Sequence, residues 1–134
     1  MAIDYGDART GVAVSDMTRS LVGDTWVIHS KKVNDVIESI VTEAGVRNVS
    51  CIVVGYPKNM DGSAGARAEK SEKLVELLSS SVSDKIELKL WDERMTTLGA
   101  HRILNETGTY GKKRKKSIDA VAASLILESY LRSL

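Results

Sequence analysis

Three short strand-like runs close by His29, and from there helical and strand-like periodicities alternate as far as Leu90. Few folds satisfy that order. Met1–Tyr5, Gly11–Ser15 and Thr25–His29 are apolar runs joined by turn-length links, which predicts an antiparallel meander. Val33, Val36, Ile37, Ile40, Val41 and Ala44 follow helical spacing, with Gly45 placed to end the helix. Ser50–Gly55 is a continuous apolar run, the pattern of a strand buried on both faces. Leu74, Val75, Leu78 and Val82 mark the apolar side of a second helix over Ala66–Ser80. Ile86, Leu88 and Leu90 alternate with more polar neighbours as a fifth strand. A third helix is expected from Thr96, with Ala100, Ile103 and Leu104 on one side. Gly108–Lys116 reads as a loop, and Ser117 as the cap of a last helix reaching Leu131. Strands linked by helices require crossovers, so the expectation is one α/β domain over 1–134, a mixed sheet covered on both faces.

Composition narrows the class. No apolar run approaches the roughly 18 residues of a membrane span. No secretory signal opens the chain, and the single cysteine, Cys51, excludes an intrachain disulfide. A cytoplasmic protein is expected. The net charge of +1 hides an asymmetry: Lys112–Lys116 reads Lys-Lys-Arg-Lys-Lys, so the remainder carries −4. The body is mildly acidic and bears one basic patch.

The acids fall at element ends. Asp4 interrupts an apolar strand, Asp92 and Glu93 end the fifth strand, and Asp119 falls in the first turn expected for the last helix. A carboxylate within an apolar strand is costly unless paired or metal-bound. For Asp119 alone, an interaction with the helix dipole is the plainer reading. Carboxylates meeting at one sheet edge form a hard oxygen site, suited to Mg²⁺ or Mn²⁺ rather than zinc. Two such ions would activate a water and stabilise the leaving oxygen of a phosphodiester. That chemistry needs no histidine base, and His29 and His101 read as structural or surface residues.

Four segments then resemble one family. They are Ile3–Asp16 (Ile-Asp-Tyr-Gly-Asp-Ala-Arg-Thr-Gly-Val-Ala-Val-Ser-Asp), Val53–Ser63 with Arg67 beyond, Asp92–Thr97 (Asp-Glu-Arg-Met-Thr-Thr) and Asp119–Ala123 (Asp-Ala-Val-Ala-Ala). Together, and in this order, they look like the YqgF family, also called RuvX, of ribonuclease H-like nucleases. The resemblance runs over nearly the whole chain. It implies a ribonuclease H-like fold with three antiparallel and two parallel strands, and a role in maturing the 5′ end of 16S ribosomal RNA. An older proposal for the family is resolution of Holliday junctions. By position, Asp4 matches the first-strand acid, the Asp92–Glu93 pair the second and Asp119 the last-helix acid. Strand alternation puts Asp92 and Glu93 on opposite faces, so one of the two points into the site, and the sequence leaves the choice open. Gly55-Tyr56-Pro57, after the fourth strand, carries no carboxylate where related resolvases usually place one.

The remaining motifs fit a polyanion. Tyr56–Gly65 links a strand to a helix, and its glycines would let backbone N–H groups approach phosphate, aided by Lys58 and Arg67. Arg9 follows Asp4 in the next turn and would touch phosphate or brace the site. Lys112, Lys113, Arg114, Lys115 and Lys116 precede the Asp119 helix and are expected on the nucleic-acid backbone, against the plainer reading of a solvated loop. Tyr110 could stack on a base. Cys51 reads as core, and Asp16 and Asp61 as spare acids near turns. The expected partner is nucleic acid, RNA before structured DNA, with a monomer favoured and no membrane. A four-way DNA junction resolvase and a non-catalytic RNA- or ribosome-binding factor are the rival readings.

Overall fold

A computed structural model describes residues 1–57, 61, 65–92 and 120–134 with their side chains, and residues 111–119 by backbone alone. Strands β1 (Ala2–Asp4), β2 (Arg9–Ser15) and β3 (Val22–His29) are followed by helix α1 (Val33–Val46), β4 (Cys51–Tyr56), α2 (Ala66–Ser79), β5 (Glu87–Asp92) and α3 (Gly111–Arg132). The five strands form one sheet in the order β3-β2-β1-β4-β5. β1 pairs antiparallel with β2, and β2 with β3, whereas β1–β4 and β4–β5 are parallel. The meander and mixed sheet read from the sequence are therefore present. The expected helix from Thr96, most of the Tyr56–Gly65 loop and the residue Tyr110 lie outside the described residues.

Strand alternation sorts the core into two layers. Ile3, Val12, Ile52 and Val54 point toward α1 and α2, where they bury Val36, Ile40, Leu74 and Leu78. Ala2, Ala13 and Val53 point the other way, against Ala123, Ile126, Leu127 and Tyr130 of α3. Those four α3 positions are spaced three, one and three residues apart, a single helical stripe. The middle of β4 is fully enclosed, as its unbroken apolar run predicts. Each large aliphatic side chain so placed contributes about 1.5–3 kcal/mol.

Two helix ends differ from expectation. Gly45 lies inside α1, and Asn48 takes the left-handed conformation instead, at φ 54°. The Val49 N–H returns to the Ala44 carbonyl at 2.9 Å and the Asn48 N–H to the Gly45 carbonyl at 3.3 Å. That pair of bonds is a Schellman ending, and asparagine tolerates the positive φ that it needs. The second correction concerns α3, which starts at Gly111 rather than Ser117. Lys and Arg are good helix formers, so Lys112–Lys116 extends the helix rather than forming a loop. Asp119 is consequently well inside α3, not in its first turn, and the dipole reading of that residue falls. No helix among the described residues is long and apolar enough to cross a membrane.

Candidate active site

β1, β4 and β5 run parallel, so their C-terminal ends share one sheet edge. Asp4 is the last residue of β1 and stands opposite Gly11 of β2. On its other side, Ile3 pairs with Val54, so the next step of that register brings Asp4 beside Gly55. Gly55 in turn pairs with Trp91. Asp4 thus has a residue without a side chain on each flank. It shares the parity of Ala2 and so faces the α3 layer, half-buried. A carboxylate here is half-buried and retains access to water, and neither flanking residue brings a side chain beside it.

Arg9 opens β2 two residues before Gly11 and shares its parity. It therefore stands on the same face and edge as Asp4, half-buried. Asp92 reaches the edge but not that face. Its neighbour Trp91 packs in the α3 layer, edge-on to Tyr130 with centroids 5.5 Å apart, and its indole N–H donates to Ser129 Oγ at 3.0 Å. Asp92 pairs with Tyr56, whose hydroxyl donates to the Glu72 carboxylate of α2. That bond raises the Tyr56 phenol above its usual range. Asp92 and Tyr56 therefore lie on the α2 side. With β4 between them, the β1 and β5 backbones are about 10 Å apart.

Glu93 and Lys58 lie outside the described residues. The backbones of Asp119 and of Lys112–Lys116 belong to α3, which packs against β1 and β2. Among the described residues, no three His, Cys, Asp or Glu side chains gather closely enough to hold a metal ion. Of the four expected ligands, only Asp4 and Asp92 have described side chains.

Arg67 reaches this edge from the first turn of α2. With Lys70 it borders a cavity of about 130 Å³ closed by Tyr5, Gly6 and Asp7. Lys70 Nζ is 2.6 Å from Asp7 Oδ1. Asp7 and Lys70 were absent from the sequence-derived candidates. Their contact joins positions 63 apart, and no local spacing announces it. A larger cavity of about 580 Å³ opens at the opposite edge, where Cys51, Arg47 and Tyr130 line it, away from Asp4 and Asp92. Cys51 is half-buried there and lies 3.6 Å from the Tyr130 hydroxyl. His29 ends β3 exposed, and His101 lies outside the described residues.

A family model described as "RuvX: Holliday junction resolvase" matches residues 1–133. A protein of Halothermothrix orenii is 44% identical over 131 residues, 98% of this chain and 92% of that one. One of Staphylococcus haemolyticus is 43% identical over 136 residues, 100% and 95% of the two chains. Both carry the name "Putative pre-16S rRNA nuclease". Among solved structures, RuvC of T. thermophilus in complex with Holliday junction substrate superposes with a TM-score of 0.55 at 13% identity, covering 98% of this chain and 92% of that one. A Fowlpox virus resolvase with Holliday junction DNA gives 0.56 at 10% identity, covering 98% and 95%. The strand order and the mix of parallel and antiparallel pairs are those of a ribonuclease H-like fold.

Proposed function

The chain belongs to the RuvX family of Holliday junction resolvases and is a hydrolase of phosphodiester bonds, and from that premise we propose that it processes the 5′ end of precursor 16S ribosomal RNA, using divalent metal at the Asp4 edge. The observation that carries this reading is Asp4 itself, a carboxylate at the end of a central strand with glycine on both flanks. Nothing in the stability of the sheet calls for an acid there. Its oxygen-donor chemistry and its bare glycine flanks fit a hard cation.

Asp4, Asp119 and one of the Asp92–Glu93 pair would hold the metal. The parity of Trp91 favours Glu93 for the face of Asp4, because Asp92 belongs to the α2 side. Bound Mg²⁺ or Mn²⁺, two ions in this reading, supplies a water made nucleophilic and a counter-charge for the phosphate. The protein's own residues position the substrate. Arg9 meets phosphate on the Asp4 face, Lys58 and Arg67 meet it at the head of α2, and Lys112, Lys113, Arg114, Lys115 and Lys116 track the flanking backbone. The attacking water forms the new P–O bond as the leaving oxygen departs and takes up a proton. A cytoplasmic setting belongs to the same reading, as does a monomer, since a single cut needs one site.

Four-way DNA is the second reading, favoured by the family description and by the shared fold with junction-bound resolvases. Relatives above 40% identity weigh more than structures at 13%, so RNA is placed first. The test sets a precursor 16S 5′ segment beside a four-way junction, with Mg²⁺ or Mn²⁺, and counts subunits by sedimentation. Metal-dependent cleavage of the RNA is expected. Paired symmetric cuts in the junction by a dimer, with the RNA intact, would replace this reading by the second. Binding without cleavage of either would leave the non-catalytic factor.

A further inference from the structure

The turn between β1 and β2 meets the opening turns of α2 one residue beyond Asp4. Gly6 makes that turn tight: a Cβ there would lie 2.2 Å from the Arg9 carbonyl oxygen. Asp7 is thereby held at the rim, 80% exposed, against the Lys70 ammonium, 53% exposed. Arg67 lies three residues before Lys70 on the same side of α2 and borders the same cavity. Two cations and one carboxylate surround the space, so its balance is positive. Glu69, between the two cations in sequence, and Glu72, engaged by Tyr56, do not border the cavity.

We propose that this cavity takes one phosphate of the nucleic-acid backbone, and that Asp7 occupies Lys70 as an oxyanion stand-in which the phosphate displaces. The proposal rests on the reading of the chain as a nuclease and deepens it. A carboxylate and a phosphate offer Lys70 the same kind of charged acceptor. An exposed ion pair is held weakly, so the exchange of partners is easy. Seated in the cavity between the two cations, a phosphodiester can give one non-bridging oxygen to Lys70 and the other to Arg67. Asp7 therefore lowers affinity for substrate in the free protein. It also keeps Lys70 from engaging other anions.

The experiment measures binding of a labelled single-stranded RNA, and in a parallel arm of a four-way DNA junction, to the full chain, with EDTA present so that nothing is cut. Asp7→Asn is expected to bind about two- to fivefold more tightly than wild type. Lys70→Gln should bind more weakly, with a salt slope shallower by about 0.7. Lys70→Arg should restore affinity. In the Lys70→Gln background, Asp7→Asn should gain less than it does in wild type, because the part of its effect that runs through Lys70 is gone and only its influence on Arg67 remains. Thermal midpoints confirm that the surface variants are folded. Asp7→Asn binding no better than a wild type that does bind RNA would overturn the site and leave the nuclease reading standing. A wild type that binds neither RNA nor junction DNA would overturn both.

Discussion

Trp91 and Tyr130 meet edge to face, 5.5 Å apart at 85°, and the contact fixes which side of β5 belongs to the α3 layer. Asp4 faces that layer, and Asp92, one residue past Trp91, does not. The neighbouring acids Asp92 and Glu93 should therefore behave differently. Glu93→Gln is expected to lose cleavage by more than the about 100-fold typical of a metal's outer partners. Asp92→Asn should lose less. Turnover of the two variants under saturating Mn²⁺ checks this, and the reverse ranking would assign the role to Asp92.

Asp4→Asn keeps the shape of the side chain and removes its charge. Cleavage should fall by more than about 100-fold, while the metal-free fold holds or gains stability through relief of like-charge repulsion. Turnover and thermal midpoint, each with and without Mn²⁺, separate the two effects. Full activity in the variant removes Asp4 from the reaction.

Replacing Lys112, Lys113, Arg114, Lys115 and Lys116 by glutamine should weaken RNA binding and flatten its salt dependence. If three of the five meet phosphate, the slope should shrink by about 2 for a single strand. Glutamine preserves helix propensity, so the helical start of α3 should survive in circular dichroism. An unchanged slope returns the run to a solvated helix end.

The Lys70 hydrogen bond and charge hold the Asp7 carboxyl below its ordinary value of 3.8. Because the folded value is depressed, the associated stability is present above the unfolded value and is lost as pH falls through the folded one. Asp7 should thus titrate below 3.8 in a carboxyl-detected NMR series, and Lys70→Gln should move it upward. Asp16 should also titrate low, held there first by the Ser20 backbone N–H at 2.9 Å. The Lys70 substitution should leave Asp16 unmoved.

Leu78→Ala removes a fully buried side chain between α2 and the sheet. The expected cost is about 2–5 kcal/mol. Denaturant melts measure it, and activity per folded molecule should be retained, since the substitution lies away from the Asp4 edge.

The sheet was legible because its strands obey period two and its helices period 3.6, and burial imposes both patterns on sequence. Asp4 was legible for the opposite reason, as a charge that breaks the pattern around it. The start of α3 is hidden from sequence because glycines and lysines resemble a loop in composition, whereas lysine and arginine propagate a helix once one is nucleated. Gly45 reads as the end of α1 because glycine commonly fills that place, yet Asn48 supplies the positive φ. The Asp7–Lys70 contact could not be read at all. It depends on how the β1–β2 turn meets α2, a consequence of tertiary packing rather than local spacing.

One consequence of the early start of α3 is mechanical. The helix runs unbroken for 22 residues, about 33 Å, from Gly111 through the basic run at Lys112–Lys116 and past Tyr130, which packs on Trp91, to Arg132. Its far end is clamped by Ile126, Leu127 and Tyr130 in the second core layer. A pull on the charged end is borne along a stiff rod and resisted at that clamp. Substitutions at Tyr130, which clamps the far end, would therefore alter how the near end seats on a polyanion without touching it.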